Sequence, residues 1–85
     1  MTDDFSNAVA KSKTMTRKPS NEELLQLYAL YKQATEGDNT DPRPGGFDFK
    51  AIAKHDAWEE KKGLRKEDAM AAYVKLVDEL HTQYS

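Results

Sequence analysis

The chain has 85 residues, of which 33% are charged and 38% hydrophobic, so we expect one small, highly charged domain over residues 1–85. Its net charge of -2 argues against general nucleic-acid binding, and the absence of cysteine excludes disulfides, thiolate metal sites and a cysteine nucleophile. No apolar stretch approaches the roughly 20 residues of a membrane-spanning helix. The acidic N-terminus lacks an apolar signal segment, so we expect a cytoplasmic protein without stable membrane insertion.

The first predicted element is a helix over about residues 3–15. Its apolar positions recur at helical spacing from Phe5 to Met15, and either Thr2 or Asp3 is available as the N-cap. Residues 5–21 carry four bases and no acid. This basic stretch is either a solvated helix face and linker or a source of positive charge for an anionic ligand.

The second helix has the clearest start signal in the chain. Ser20 and Glu23 have the spacing of a capping box, in which each side chain bonds to the other residue's backbone N–H. An apolar-rich run follows at once and continues to Glu36, and Gly37 can adopt the left-handed conformation that ends a helix. We therefore predict a helix from about residue 20 to residue 36.

A loop of about ten residues is predicted over residues 37–46, because two prolines and three glycines alternate there with short polar side chains. Loops of this length are unusual in a compact domain and often have a function.

Two more helices are predicted after the loop. Asp48 can cap a third helix that runs to about Lys62 and closes at Gly63, and a fourth helix is predicted from about Lys66 to Tyr84.

No strand pattern occurs, so the predicted architecture is an all-α four-helix bundle with one long loop between helices 2 and 3. On helix 2, Tyr28, Tyr31 and Lys32 lie on neighbouring surface positions, and Lys50 and Lys54 are one turn apart on helix 3. Ammonium groups beside aromatic rings can bind a nucleotide phosphate and stack on its base. The same spacing also fits solvated lysines and tyrosines packed in the core, so spacing alone leaves both interpretations open.

Other chemistry-bearing residues point to structure. Trp58, Tyr73 and Tyr84 lie at positions that favour packing. His55 and His81 lack the spacing of a metal site, so no metal and no cofactor are expected. His55 and Asp56 are adjacent on a helix and should point apart, so a hydrolase triad is not expected either.

Residues 31–38 read Tyr-Lys-Gln-Ala-Thr-Glu-Gly-Asp, which resembles the hallmark Tyr-Lys-Gln-Ala-Thr-x-Gly-Asp of the acyl-CoA-binding protein family. The resemblance continues in register through Asp48-Phe49-Lys50, through residues 53–58 and through residues 66–73, without a gap. It covers essentially the whole chain.

This resemblance implies a four-helix up-down-down-up bundle that binds one long-chain fatty acyl-CoA without a covalent step, and implies that the chain is not an enzyme. It places Tyr28, Lys32 and Lys54 on the ribose 3′-phosphate and Tyr31 against the adenine. The ligand-binding positions it implies are Lys13, Tyr28, Ala29, Leu30, Tyr31, Lys32, Lys50, Lys54 and Tyr73. The residues chosen for the acyl-chain groove are Leu24, Leu25, Phe49 and Ala53.

His55 occupies a position where the family commonly has tryptophan. The replacement removes apolar surface near the expected groove, so the preferred length of the acyl chain could differ from that of other members. The leading hypothesis is a monomeric carrier that binds, buffers and transports medium- to long-chain acyl-CoA esters inside the cell. Its other expected partners are the enzymes that use these esters, through transient contacts. The alternative is a small helical interaction module whose groove accepts an amphipathic helix of a protein partner.

Overall fold

The computed structural model describes residues 3–84, in which four α-helices and no strand occur. The helices are α1 (Asp4–Lys11), α2 (Asn21–Glu36), α3 (Phe49–Glu59) and α4 (Lys66–Tyr84). α2 packs against both α3 and α4, and α1 packs against α4. The predicted all-α four-helix bundle with a long connection between α2 and α3 is therefore confirmed. Within the described range, no helix combines the length and the apolar character needed to cross a membrane.

The start of α1 agrees with the sequence, but its end does not. The Asp3 carboxylate caps the helix by accepting a 2.6 Å hydrogen bond from the Ser6 backbone, while the alternative cap, Thr2, lies outside the described residues. α1 ends at Lys11, about four residues before the predicted end. Beyond it the backbone makes i to i−3 bonds, and the Thr14 hydroxyl donates to the Lys11 carbonyl, so local hydrogen bonds replace another helical turn.

The capping box predicted at the start of α2 is present. The Glu23 backbone donates to the Ser20 hydroxyl at 3.1 Å, and the Ser20 backbone donates to the Glu23 carboxylate at 2.9 Å. At the other end, the Gly37 N–H donates to the Gln33 carbonyl and the helix ends there, as predicted. Gly37 has a positive φ of 82°, but its ψ of -151° lies outside the left-handed helical conformation that the sequence suggested. These two local signals fix the length of the helix that carries most of the candidate site residues.

α3 is shorter than the sequence predicts. Asp48 caps it by accepting a 3.1 Å bond from the Ala51 backbone, but the helix ends at Glu59 rather than near Lys62. The chain leaves the helix through tight turns before Gly63, whose φ of 90° reverses its direction. By contrast, α4 spans the residues predicted for it.

The centre of the core lies where α1, α2 and α4 meet. Ala8, Leu30, Tyr73 and Val77 form one buried cluster. Trp58 is buried separately on α3, where its indole N–H donates a 2.9 Å hydrogen bond to the Gly37 carbonyl. The burial of Tyr73 and Trp58 confirms that both serve in packing.

A polar network joins the end of α2 to the connection between α3 and α4. The Gln33 side chain is fully buried, and its Nε2 donates 2.8 Å bonds to the Asp38 carboxylate and to the Leu64 carbonyl. The Gly63 backbone donates to the same Asp38 oxygen, and these bonds, that of Gly63 first, lower the pKa of Asp38. The network fixes the end of α2 close to the chain reversal after α3.

Val77→Ala should lower the free energy of unfolding by about 2 kcal/mol, because Val77 is 0% exposed and the substitution leaves a cavity in the core. Val74→Ala on the same helix should cost clearly less, because Val74 is only partly buried. Urea denaturation measures both values. Equal losses for the two variants would contradict this description of the core.

Candidate functional site

A groove of about 490 Å³ runs between α2 and α3. One wall comes from α2 and the other from α3, and in each helix the contributing residues recur one turn apart. All four residues predicted for an apolar chain lie along it. The lining residues are Lys18, Asn21, Leu24, Leu25, Tyr28, Phe49, Lys50, Ala53 and Lys54. The groove thus combines apolar walls with three lysines and has no acidic side chain in its lining.

A smaller hollow of about 240 Å³ adjoins the groove beneath the α2–α3 loop. Tyr28 and Lys54 line both spaces, so they lie at the junction between the apolar groove and the hollow. The other residues around the hollow are Asp41, Pro42, Pro44, Ala51, His55 and Trp58. A ligand with an apolar chain and a polar end could therefore occupy both spaces across this junction.

Two lysines place their ammonium groups on aromatic rings that line the hollow. The Nζ atom of Lys54 lies 5.3 Å from the centre of the Tyr28 ring, and that of Lys32 lies 4.9 Å from the centre of the Trp58 ring. Lys32 also forms an ion pair with Glu36, one turn later on α2, which raises the pKa of Lys32. The two lysines that the resemblance assigned to one phosphate thus both lie on aromatic rings of the same hollow.

Tyr31 follows Tyr28 by three positions on α2, but its ring contacts α1 and α4 and lines neither the groove nor the hollow. The residue is 39% exposed. Its ring stacks on that of Phe5 with the two centres 6.0 Å apart, and the centre of the Tyr73 ring lies 6.2 Å away. The Tyr73 hydroxyl is 3.4 Å from the Ser12 hydroxyl. These aromatic rings hold Tyr31 in place, and the residue stays partly exposed.

Several predicted ligand contacts do not reach the groove. Ala29 and Leu30 are buried in the core, so the structure gives their side chains no open surface. Tyr73 is also buried, and Lys13 lies exposed in the turn after α1, outside the groove lining. Their assignment as contacts stays a prediction from the resemblance alone.

Sequence reasoning missed two of the groove residues, Lys18 and Asn21. Lys18 belongs to the basic stretch before α2, whereas in the same stretch Lys11 pairs with Asp78 at 2.9 Å. Asn21 precedes Leu24 by three positions and Leu25 by four, which places it on the groove face of α2. The spacing of Asn21 from the two leucines could therefore have predicted that it lines the groove.

Two exposed aromatic side chains stand beside the groove. Phe47 is 90% exposed and Phe49 is 72% exposed, and their rings contact each other edge to face with centres 6.3 Å apart. Phe49 also lines the groove. Apolar surface of this kind is normally covered, and the groove occupant is one candidate for covering it.

His55 ties the α2–α3 loop to α3. Its Nε2 atom lies 2.9 Å from the Asp41 carbonyl oxygen, which can only accept, so Nε2 carries a proton. Its Nδ1 atom lies 3.4 Å from the Asp56 carboxylate, which in turn accepts two 3.0 Å bonds from Arg43. The expectation that His55 and Asp56 point apart is therefore wrong, because the folded loop draws both side chains toward it.

The hydrogen bond to the Asp41 carbonyl, and then the Asp56 carboxylate, raise the pKa of His55 above its ordinary value of 6.5 against the opposing effect of burial. The protonated imidazole therefore stabilises the folded state. This contribution is complete below the unfolded pKa and is lost as the pH rises through the folded one. Among residues 3–84, no group of three or more acidic or histidine side chains is arranged to hold a metal ion.

His55→Gln should lower the melting temperature more at about pH 5.5 than at about pH 8.5, because only the charged imidazole donates to both Asp41 and Asp56. Thermal unfolding of the variant and of the original chain at both pH values gives the two deficits. A deficit that is equal at both values, or larger at high pH, would contradict the assigned hydrogen bonds.

Comparison with known proteins identifies relatives over nearly the whole chain. Residues 2–77 match the family model described as acyl CoA binding protein. The acyl-CoA-binding protein homolog 1 of Caenorhabditis elegans is 58% identical over 84 residues, which are 99% of this chain and 98% of the relative. The acyl-CoA-binding protein of Dictyostelium discoideum is 49% identical over 81 residues, or 95% and 96% of the two chains.

A solved structure has the same architecture. The crystal structure of acyl-CoA-binding protein 2 from Oryza sativa superposes with a TM-score of 0.89 at 45% sequence identity. The match covers 94% of this chain and 89% of the rice chain. Similarity in sequence and in fold thus points to the same family.

Proposed function

The chain belongs to the acyl-CoA-binding protein family, and we propose that it reversibly binds medium- to long-chain fatty acyl-CoA esters and buffers and transports them inside the cell. The observation that carries this proposal is that an apolar groove continues, at Tyr28 and Lys54, into a hollow whose aromatic rings contact the ammonium groups of Lys32 and Lys54. An acyl-CoA ester has the matching two parts, an apolar chain and a phosphorylated nucleotide.

The acyl chain is the part of the ligand that should supply most of the binding free energy. Burial of a dozen methylenes corresponds to roughly 10 kcal/mol of transfer free energy before ordering costs, at about 0.8 kcal/mol each. Leu24, Leu25, Ala53 and Phe49 provide the apolar surface for it. Affinity should therefore increase with chain length until the groove is full.

The nucleotide end fixes the orientation of the ligand. We assign the 3′-phosphate to Lys32, Lys54 and the Tyr28 hydroxyl, since both ammonium groups lie on rings around the same hollow. Charge-assisted hydrogen bonds of this kind contribute about 1.5–3 kcal/mol each. We assign adenine to the ring of Tyr31, a partly exposed residue, and Lys50 is a further cation at the groove.

In the proposed function, the protein binds the ester and releases it again with the thioester bond intact. We also propose that one acyl-CoA-binding domain accounts for residues 1–85 and that the chain acts as a monomer in the cytoplasm, in transient contact with enzymes that use these esters. The interaction-module hypothesis is not favoured, because the relatives are named for binding acyl-CoA.

The Lys32→Ala/Lys54→Ala double variant should lose at least about 100-fold in affinity for palmitoyl-CoA, since two charge-assisted contacts to the phosphate disappear. Isothermal titration calorimetry measures the affinity, and circular dichroism checks that the bundle still folds. Lys62→Ala/Lys75→Ala makes the same change in charge at exposed positions outside the groove and should bind like the original chain.

The ester of dephospho-CoA, which lacks the 3′-phosphate, should bind the original chain weakly and should lose little more in the double variant. Tight binding of palmitoyl-CoA by a folded double variant would refute the phosphate assignment. Equal affinity of the original chain for palmitate and palmitoyl-CoA would refute the role of the nucleotide altogether.

Ala53→Trp should shorten the groove and weaken palmitoyl-CoA binding by about fourfold for each methylene that it excludes, while octanoyl-CoA is affected less. Ala10→Trp, at an exposed position of α1, serves as the control. A titration with a series of acyl lengths gives both dependences. An unchanged length profile in Ala53→Trp would place the acyl chain elsewhere.

A further inference from the structure

The two cations assigned to the phosphate differ in their own surroundings. Lys32 is paired with the Glu36 carboxylate, whereas Lys54 rests on the Tyr28 ring and forms no ion pair with any residue from 3 to 84. The resting site therefore presents one lysine with a carboxylate partner and one without. A phosphate entering the hollow meets an anion already in contact with Lys32.

In the Lys32–Glu36 pair, the Glu36 side chain is the more exposed to solvent. The Lys32 side chain is 24% exposed and is covered on one side by Trp58, whereas the Glu36 side chain is 52% exposed. An exposed carboxylate at this position can move away when a stronger anion arrives, because water solvates it and the pair is weakly held.

Two opposing effects act on an acid at position 36: the i,i+4 pair with Lys32 stabilises the helix slightly, and the helix dipole opposes it. Glu36 is the last residue of α2, where the carbonyl ends of the helix carry partial negative charge, and the last turn contains no basic residue. A carboxylate there opposes the helix dipole. Its favourable contact in the structure is the one with Lys32.

We infer that Glu36 competes with the ligand's 3′-phosphate for Lys32. Ligands that carry this phosphate therefore bind less tightly and leave faster. This inference rests on the proposed function. The carboxylate and the phosphate use the same ammonium group and repel each other, so binding of one lowers the occupancy of the other.

The test compares Glu36→Gln with the original chain against two ligands, palmitoyl-CoA and its 3′-dephospho analogue, by calorimetry at low ionic strength. Glu36→Gln should bind palmitoyl-CoA about three- to tenfold more tightly, in keeping with the modest strength of an exposed ion pair. Its affinity for the dephospho analogue should be unchanged. The gain should shrink in about 1 M salt, where exposed charges are screened.

Glu79→Gln is the matched control, since it changes the net charge equally at an exposed position of α4 outside the groove. It should bind both ligands like the original chain. Stopped-flow release of palmitoyl-CoA should be slower from Glu36→Gln than from the original chain and from Glu79→Gln. Glu36→Gln should fold like the original chain, because the lost exposed ion pair with Lys32 and the relieved charge at the helix end are both small effects of opposite sign.

Unchanged or weaker palmitoyl-CoA binding by Glu36→Gln would overturn the inference. An equal gain for the dephospho analogue, or an equal gain in Glu79→Gln, would also overturn it by showing a general charge effect. Binding of palmitoyl-CoA by the original chain separates these outcomes from failure of the proposed function, in which the original chain does not bind the ester at all.

Discussion

The contact between the Lys54 ammonium group and the Tyr28 ring is the point on which the proposed site depends, because it crosses from α3 to α2 where the groove meets the hollow. If the two helices did not approach each other here, the apolar groove would not continue into the hollow beside the lysines. The long connection between α2 and α3 makes the approach possible. It is held against α3 by the hydrogen bond that His55 donates to the Asp41 carbonyl and by those that Arg43 donates to the Asp56 carboxylate.

α2 serves the core and the site at the same time. Leu30 and Gln33 point inward, where they pack and form hydrogen bonds, while Leu25 and Tyr28 face the groove. Lys32 follows on the same helix and reaches the Trp58 ring of α3. The helix periodicity that builds the core therefore also sets the spacing of the functional side chains. A site built on rigid helices needs little rearrangement to receive a ligand.

Local signals in the sequence predicted the parts of the fold that local physics controls. The Ser20–Glu23 capping box and Gly37 defined α2, and the amphipathic pattern defined α4. Periodicity overestimated α1 and α3, because hydroxyl groups such as that of Thr14 and tight turns before Gly63 end these helices. The spacing of apolar residues carries little information on where turn and side-chain hydrogen bonds will replace helical ones.

The candidate site was less accessible to sequence reasoning. Spacing offered Tyr28 and Lys32 on one helix and Lys54 on another as parts of a phosphate site, but it fitted solvated lysines and packed tyrosines equally well. The family resemblance decided between these interpretations. The contact of His55 with the loop was missed, because it depends on where residues 37–46 fold back. The Lys32–Glu36 pair has the ordinary spacing of a helical ion pair, yet its significance emerged only once Lys32 was located beside the hollow.

A crystal structure of the chain with palmitoyl-CoA would locate both ends of the ligand in one measurement. We expect the 3′-phosphate within about 3 Å of the ammonium nitrogens of both Lys32 and Lys54, with the acyl chain running from Tyr28 along Leu25 and Phe49. A phosphate bound away from either lysine, or an acyl chain outside the groove between α2 and α3, would contradict this assignment.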